Sequence, residues 1–278
     1  KLSYTKENKL LKFWSGLGYY RRAINLLKSS KIIRKNFNCK IPNSKNDLLR
    51  LPGIGEYTAL AIQAIAYNKP VMAIDANIER IITRIHCLSS PVSKIKKKIK
   101  LLGEDFISKK RPGDIIQALM DFGSLICKPK NPECKKCIIK KYCNAYKKKM
   151  TNKIPVKIKL SSLEKPILYT DAYVITNKNN EIFLKKRSSK GMLPSMLEVP
   201  TSNWQKKQVK NIFPFKLNFK KINKQVIYPF SHFILHVDIY ATSTNNNINK
   251  NNWYPLNRIN MYELPTIMKK IIQSYINN

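Results

Sequence analysis

Four of the six cysteines in this 278-residue chain crowd together as Cys127, Cys134, Cys137 and Cys143, in the spacing C-x6-C-x2-C-x5-C. Four thiolates in one short loop repel one another unless a metal neutralises them, so the spacing reads as a ligand set. Zinc and a [4Fe–4S] cluster both suit four soft sulfur ligands. Zinc ribbons usually carry two C-x2-C knuckles, and one is present here. Spacing by itself does not choose between the metals.

A second candidate is Asp75 in 74-IDANIERIITRI-85. It sits where a helix starting at Ala76 needs an N-cap, and a capping position holds a carboxylate rigidly. A fixed carboxylate can stabilise positive charge that develops on a substrate. Asn77 stands two residues on, where it can position Asp75, and Arg80 and Arg84 lie about one turn apart on the same helix.

A third is 51-LPGIGEYTALAIQAIAY-67, which spends two of only 8 glycines, Gly53 and Gly55, on one turn. Glycine lets backbone N–H groups face outward there, and a tight turn feeding a helix N-terminus is a ready anion site. The plain alternative is an ordinary turn between two helices.

The elements that carry these residues read as two parts. Up to about Tyr146 apolar residues recur at three- and four-residue spacing, predicting helices over Glu7–Trp14, Ala23–Ile33, Thr58–Tyr67, Ile78–Ile85 and Ile115–Leu125. Residues 147–166 are basic, poor in large apolar residues and hold two prolines, so they read as a linker. Residues 167–187 predict a hairpin around NKNN, and 225–242 alternate as a β-run. Pro265 suits the first residue of a closing helix.

Lysine and arginine number 53 against 16 acids, a net charge of +37. That balance favours a polyanionic partner, nucleic acid or an anionic membrane face. Basic residues are spread over both halves, and lysine, asparagine and isoleucine abound everywhere, so charge does not locate a site. No apolar run of about 18 residues predicts a membrane span, and no signal peptide is visible. Clustered cysteines in an intracellular chain hold metal more often than disulfides.

The cysteine spacing, placed after LPGIG and a helical region, resembles the endonuclease III superfamily of helix-hairpin-helix DNA glycosylases, over essentially all of residues 1–146. The resemblance implies a multidomain chain. An all-α helix-hairpin-helix glycosylase domain over 1–146 would carry its hairpin at 51–58 and its iron–sulfur loop at 127–143. A linker at 147–166 and an α/β Nudix-like domain at 167–278 would follow. It implies that Cys127, Cys134, Cys137 and Cys143 hold a [4Fe–4S] cluster. The hairpin amides around Gly53 and Gly55 would grip a DNA phosphate, with a bound cation. Asp75 would be the essential acid, stabilising an oxocarbenium-like sugar as the N-glycosidic bond breaks. Asn77 would help to hold it, while Arg80 and Arg84 would face DNA or support the site. Family members usually have glycine where this chain has Ala76.

Bifunctional members carry a lysine two residues after the second hairpin glycine, where it forms a Schiff base with the sugar. Tyr57 stands at that position, so the chain resembles the monofunctional members. Two segments narrow the resemblance to the branch that removes adenine mispaired with 8-oxoguanine. In 14-WSGLGYYRRAINL-26 a tyrosine wedges into the duplex; Tyr19 is the first choice, Tyr20 the second, with Arg22 beside them at the DNA. In 230-FSHF-233, Phe230, Ser231 and His232 match the loop that recognises the oxidised base, with Ser231 as the hydrogen-bonding group and His232 structural. On residue pattern this segment is an unremarkable stretch of strand.

A working Nudix box needs a glutamate-rich helix for Mg²⁺. Residues 181–210 hold only Glu181 and Glu198, so the resemblance implies recognition without Nudix hydrolysis. The implied partner is double-stranded DNA with A:8-oxoguanine or A:G mispairs, met by a monomer in a bacterial cytoplasm, at the nucleoid.

The opening KLSYTKENKLLKFW reads as the inside of a helical region, so an earlier start is expected. The branch's general acid, a glutamate that protonates the leaving adenine, belongs to a helix upstream. The alternatives that stay open are a fragment of a working enzyme, an inactive lesion-binding remnant, and an endonuclease III-type glycosylase and lyase.

Overall fold

The computed structural model describes residues 1–156, 165–189, 191–207, 215–244, 248–249 and 252–278. Its helices are α1 (Glu7–Phe13), α2 (Tyr20–Asn36), α3 (Lys45–Leu49), α4 (Glu56–Tyr67), α5 (Ala76–Ile85), α6 (Val92–Glu104), α7 (Pro112–Leu125), α8 (Asn144–Lys147) and α9 (Thr266–Ile276). Its strands are β1 (Ile167–Thr176), β2 (Glu181–Phe183), β3 (Lys185–Lys186), β4 (Leu197–Glu198), β5 (Lys220–Pro229), β6 (Ile234–Ser243) and β7 (Trp253–Pro255). Among the described residues no helix is long and apolar enough to cross a membrane.

Two compact units emerge, one of residues 31–161 and one of residues 1–30 with 162–278. This differs from the expected division at 146 and 167. The first thirty residues pack with the C-terminal part, because Leu10, Leu11, Tyr20, Ala23 and Leu27 bury their apolar faces in one cluster with Met196. The expected linker also begins later than its composition suggests. Ile154 is buried with Ala145 and Cys143, and Val92 donates its N–H to the Val156 carbonyl. Residues 157–164 of that segment lie outside the described residues.

In the 31–161 unit, α5 is the central helix. Ile78, Ile81 and Ile82 are fully buried, a stripe whose removal from water contributes about 1.5–3 kcal/mol per side chain. α7 packs against both α4 and α5. It comes unusually close because a Cβ on Gly113 would lie 2.9 Å from the Ala64 carbonyl oxygen, and one on Gly123 would lie 2.6 Å from the Asn77 Cβ. α3 is short and capped by Ser44, whose Oγ accepts from the Asp47 N–H.

The second unit holds a five-stranded sheet in the order β5-β6-β1-β2-β7. β1 and β2 form the expected hairpin, antiparallel with Thr176 opposite Ile182. β1 also pairs in parallel with β6 over ten residues, from Ile167 opposite Ile234 to Thr176 opposite Ser243. α9 covers one face with Ile267, Met268, Ile271 and Ile272, all buried. Pro265 is the residue just outside this helix, its N-cap, rather than its first helical residue. β5 and β6 are antiparallel, and their register closes at Pro229 opposite Ile234. Residues 230–233 are therefore the hairpin loop, not the strand that the residue pattern suggests.

Candidate functional site

Asp75 caps α5. Its Oδ1 accepts from the Asn77 N–H at 2.9 Å and the Ile78 N–H at 2.7 Å. Its Oδ2 accepts from the Asn77 side-chain amide at 2.9 Å. Three donors thus fix a half-buried carboxylate at a helix N-terminus, where the backbone dipole favours negative charge. Nearby Tyr57 feels it: burial, then the Asp75 charge, pushes the Tyr57 hydroxyl above its ordinary value. Tyr57 stays neutral, with its hydroxyl 3.8 Å from the Met120 sulfur.

Of the two roles expected for Arg80 and Arg84, burial removes the one that faces DNA, and their contacts fit support of the site. The two side chains are 6% and 2% exposed. Arg80 donates through Nη2 to Asn77 Oδ1 at 2.9 Å and to the Gly123 carbonyl at 2.6 Å, and through Nε to the Cys127 carbonyl at 2.7 Å. Arg84 donates to the carbonyls of Ile154, Cys127, Lys128 and Pro129. A buried guanidinium is tolerated when carbonyl oxygens meet its fixed fork of donors, which is what both have. Burial pulls Arg80 below its ordinary value. The pair ties α5 to the start of the cysteine loop, and a bonded chain runs Asp75–Asn77–Arg80–Cys127.

The four cysteines line one pocket together with Ile81, Phe122 and Arg84. Arg84 Nη1 is 3.3 Å from the Cys127 sulfur, and the Cys143 thiol donates to the Arg84 carbonyl at 3.4 Å. Burial pushes the Cys137 and Cys143 thiols up, and the neighbouring cysteines push the same way. Among the described residues, no three His, Cys, Asp or Glu side chains converge closely enough to hold one metal ion.

In the hairpin, Gly53 has φ +83, a conformation that favours glycine. Gly55 is extended and caps α4, with open space where a Cβ would stand. Gly55, Glu56 and Tyr57 at the start of α4 are exposed. Glu56, also in that turn, is paired with Lys45 at 3.0 Å and Lys100 at 2.9 Å.

In the other unit, the two tyrosines of the GLGYY segment separate. Tyr19 is 68% exposed with φ +47, and the Arg22 guanidinium lies 4.5 Å from its ring centre. Tyr20 is buried, so it cannot be a wedge; its hydroxyl accepts from the Gly16 N–H at 3.3 Å. In the β5–β6 loop Phe230 is the anchor, stacked on Phe233 at 4.7 Å and against Tyr228 at 4.9 Å. Ser231 and His232 stand exposed at the tip. Glu198 is buried and bonded to Arg187 and Lys185, and Glu181 accepts from Asn177.

Gly123 is the residue that sequence reasoning missed. Its bare Cα lets Asn77 approach, and its carbonyl receives Arg80. Scarce glycine four residues before Cys127 was the available signal.

Residues 1–104 match the family described as HhH-GPD superfamily base excision DNA repair protein, and residues 171–274 match the NUDIX domain. Fold and site together define a DNA glycosylase of base excision repair with a helix-hairpin-helix part and a Nudix-like part. The chain is 32% identical to the adenine DNA glycosylase of Buchnera aphidicola subsp. Schizaphis graminum, over 99% of this chain and 81% of that one. It is 33% identical to the adenine DNA glycosylase of Buchnera aphidicola subsp. Baizongia pistaciae, over 98% of this chain and 79% of that one. The Arabidopsis thaliana adenine DNA glycosylase is 27% identical over 85% of this chain and 42% of its own length. The chain belongs to the adenine DNA glycosylase family.

Proposed function

We propose that this glycosylase hydrolyses the N-glycosidic bond of adenine paired with 8-oxoguanine or guanine, without cutting the strand. The observation that carries the reading is the Asp75 carboxylate, held by three N–H donors at the start of α5. As the bond to adenine breaks, its electron pair leaves with the base and positive charge builds on the sugar. A carboxylate already fixed by three donors stabilises that charge without reorganising. Water then adds to the sugar carbon and gives up a proton, which balances the one taken up by the departing adenine. Protonation of the departing adenine is assigned to the upstream glutamate expected from the resemblance.

Tyr57 supports the monofunctional reading, since a phenol forms no Schiff base with the sugar. The exposed turn of Gly53 and Gly55, leading into the N-terminus of α4, suits a DNA phosphate, a contact that positions the duplex but reads no sequence. Exposed Tyr19 and Arg22 suit the stack and backbone at the lesion. Ser231, at an exposed tip braced by Phe230, suits the edge of the oxidised base.

Cys127, Cys134, Cys137 and Cys143 are the proposed ligands of a [4Fe–4S] cluster. Four thiols around one mostly apolar pocket, in a spacing with a single C-x2-C knuckle where zinc ribbons usually carry two, support a cluster. Bound there, the cluster would supply the positive centre that four crowded thiolates require.

Single-turnover excision from a duplex with one adenine opposite 8-oxoguanine tests the reading. This chain is run beside a form extended with its genomic upstream segment. Alkali-dependent strand breaks with adenine release are expected, and breaks without alkali would overturn the monofunctional assignment. Lesion-selective binding with no excision in either form would favour the inactive remnant.

A further inference from the structure

Within the unit formed by residues 1–30 and 162–278, the loop before α2 is bound to the Nudix-like part. Met196 directly precedes β4, yet its buried side chain belongs to the cluster of Leu10, Leu11, Tyr20 and Ala23, not to the sheet core. Leu193 reaches both clusters. Arg21 Nη2 donates to the Gly191 carbonyl at 3.3 Å, and Lys269 Nζ on α9 donates to Ser15 Oγ at 3.4 Å. The segment Gly191–Met196, with positive φ at Gly191, Leu193 and Ser195, thus holds the start of α2, and Lys269 on α9 holds its leading loop at Ser15.

The loop itself is under tension. Gly16, Gly18 and Tyr19 have φ +89, +70 and +47. Glycine adopts that region freely, whereas a tyrosine persists there only when its surroundings over-determine it. The surroundings are on hand. The Tyr20 hydroxyl accepts from the Gly16 N–H, and the Trp14 indole N–H donates to the Gly18 carbonyl at 3.0 Å. The Tyr20 ring is fixed in the Met196 cluster.

We propose that Met196 and Tyr20 are positioning residues for Tyr19. Met196 seats the Tyr20 ring, the Tyr20 hydroxyl shapes the loop, and the loop keeps Tyr19 exposed and aimed at the base stack. The Nudix-like part would then set the wedge as well as read the lesion. This inference rests on the reading of Tyr19 as the wedge.

The test uses the intact chain and a duplex holding A:8-oxoguanine with 2-aminopurine beside the 8-oxoguanine; its fluorescence rises when the stack opens. Tyr19→Ala should lose the rise. Tyr20→Phe, which keeps the ring and drops the hydroxyl, and Met196→Ala should each lose most of it, and either one combined with Tyr19→Ala should be no worse than Tyr19→Ala alone. Met268→Ala, a cavity in the sheet core of the same unit, should lower the melting temperature and keep the rise. If Tyr19→Ala loses the rise while Tyr20→Phe and Met196→Ala keep it, the positioning role is overturned and the wedge stands. If Tyr19→Ala keeps the rise, the wedge reading falls and this inference with it.

Discussion

Gly123 and Asn77 meet where no side chain fits between them: a Cβ on Gly123 would lie 2.6 Å from the Asn77 Cβ and 3.3 Å from its Cα. The contact sets how deeply α7 seats against the first turn of α5, and hence where Arg80 finds the Gly123 carbonyl. Gly123→Ala should cost about 1–3 kcal/mol through overpacking. It should also slow excision about 10- to 100-fold by shifting the group that holds Asp75. Thermal melts beside single-turnover rates check both. An unchanged rate in a destabilised variant would show that Asn77 need not be fixed.

Asp75→Asn keeps a good N-cap, so stability should change little. Excision should fall by about 10²–10³ or more, the scale of losing electrostatic support for a developing charge. Binding to the mispaired duplex, read by anisotropy, should survive. Excision at the wild-type rate would remove Asp75 from its role.

Purified protein should absorb near ~400 nm if the cysteines hold an iron–sulfur cluster. Cys137→Ser should lose that band, and chelation of iron should lower the melting temperature. A colourless protein carrying stoichiometric zinc would reverse the assignment.

Ser231→Ala should narrow the preference for 8-oxoguanine over guanine opposite adenine, by about 10-fold if one hydrogen bond of about 1.5 kcal/mol is lost. Excision from A:G duplexes should change little. Equal losses on both substrates would make Ser231 a structural residue of the β5–β6 loop.

Burial, then Asp238 on the neighbouring strand, pushes the Asp171 carboxyl above its ordinary value. A raised folded value means that ionised Asp171 opposes folding. Its stabilising contribution is whole below the unfolded value of about 4 and is lost as pH rises through the folded one. Asp171→Asn should therefore raise the melting temperature at pH 7, and the gain should fade towards pH 4. A gain independent of pH would point to altered packing instead.

Helices with apolar residues at regular three- and four-residue spacing, such as α4, α5 and α7, were legible because that spacing is what buries one face. α6 was not, since its apolar Ile95, Ile99 and Leu102 are diluted by lysines. Strand positions in β1 and β6 were legible from alternation, but their parallel pairing was not, because a pattern of two names faces and no partner. The cysteine set and Asp75 could be read from residue type and spacing. The burial of Arg80 and Arg84 could not: arginine is usually exposed, and their acceptors are main-chain carbonyls, which leave no trace in side-chain identity. The split between Tyr19 and Tyr20 depended on a positive φ and on Met196, more than 170 residues away.

The packing of residues 1–30 with residues 162–278 bears on how the chain is made. During synthesis, residues 31–161 can fold soon after they leave the ribosome. The cluster of Leu10, Leu11, Ala23 and Leu27 is completed only when Met196 emerges. At roughly 5–20 residues per second that delay is on the order of ten seconds or more. Premature termination before Met196 therefore leaves the cluster of α1 and α2 without the residue that joins it to the Nudix-like part.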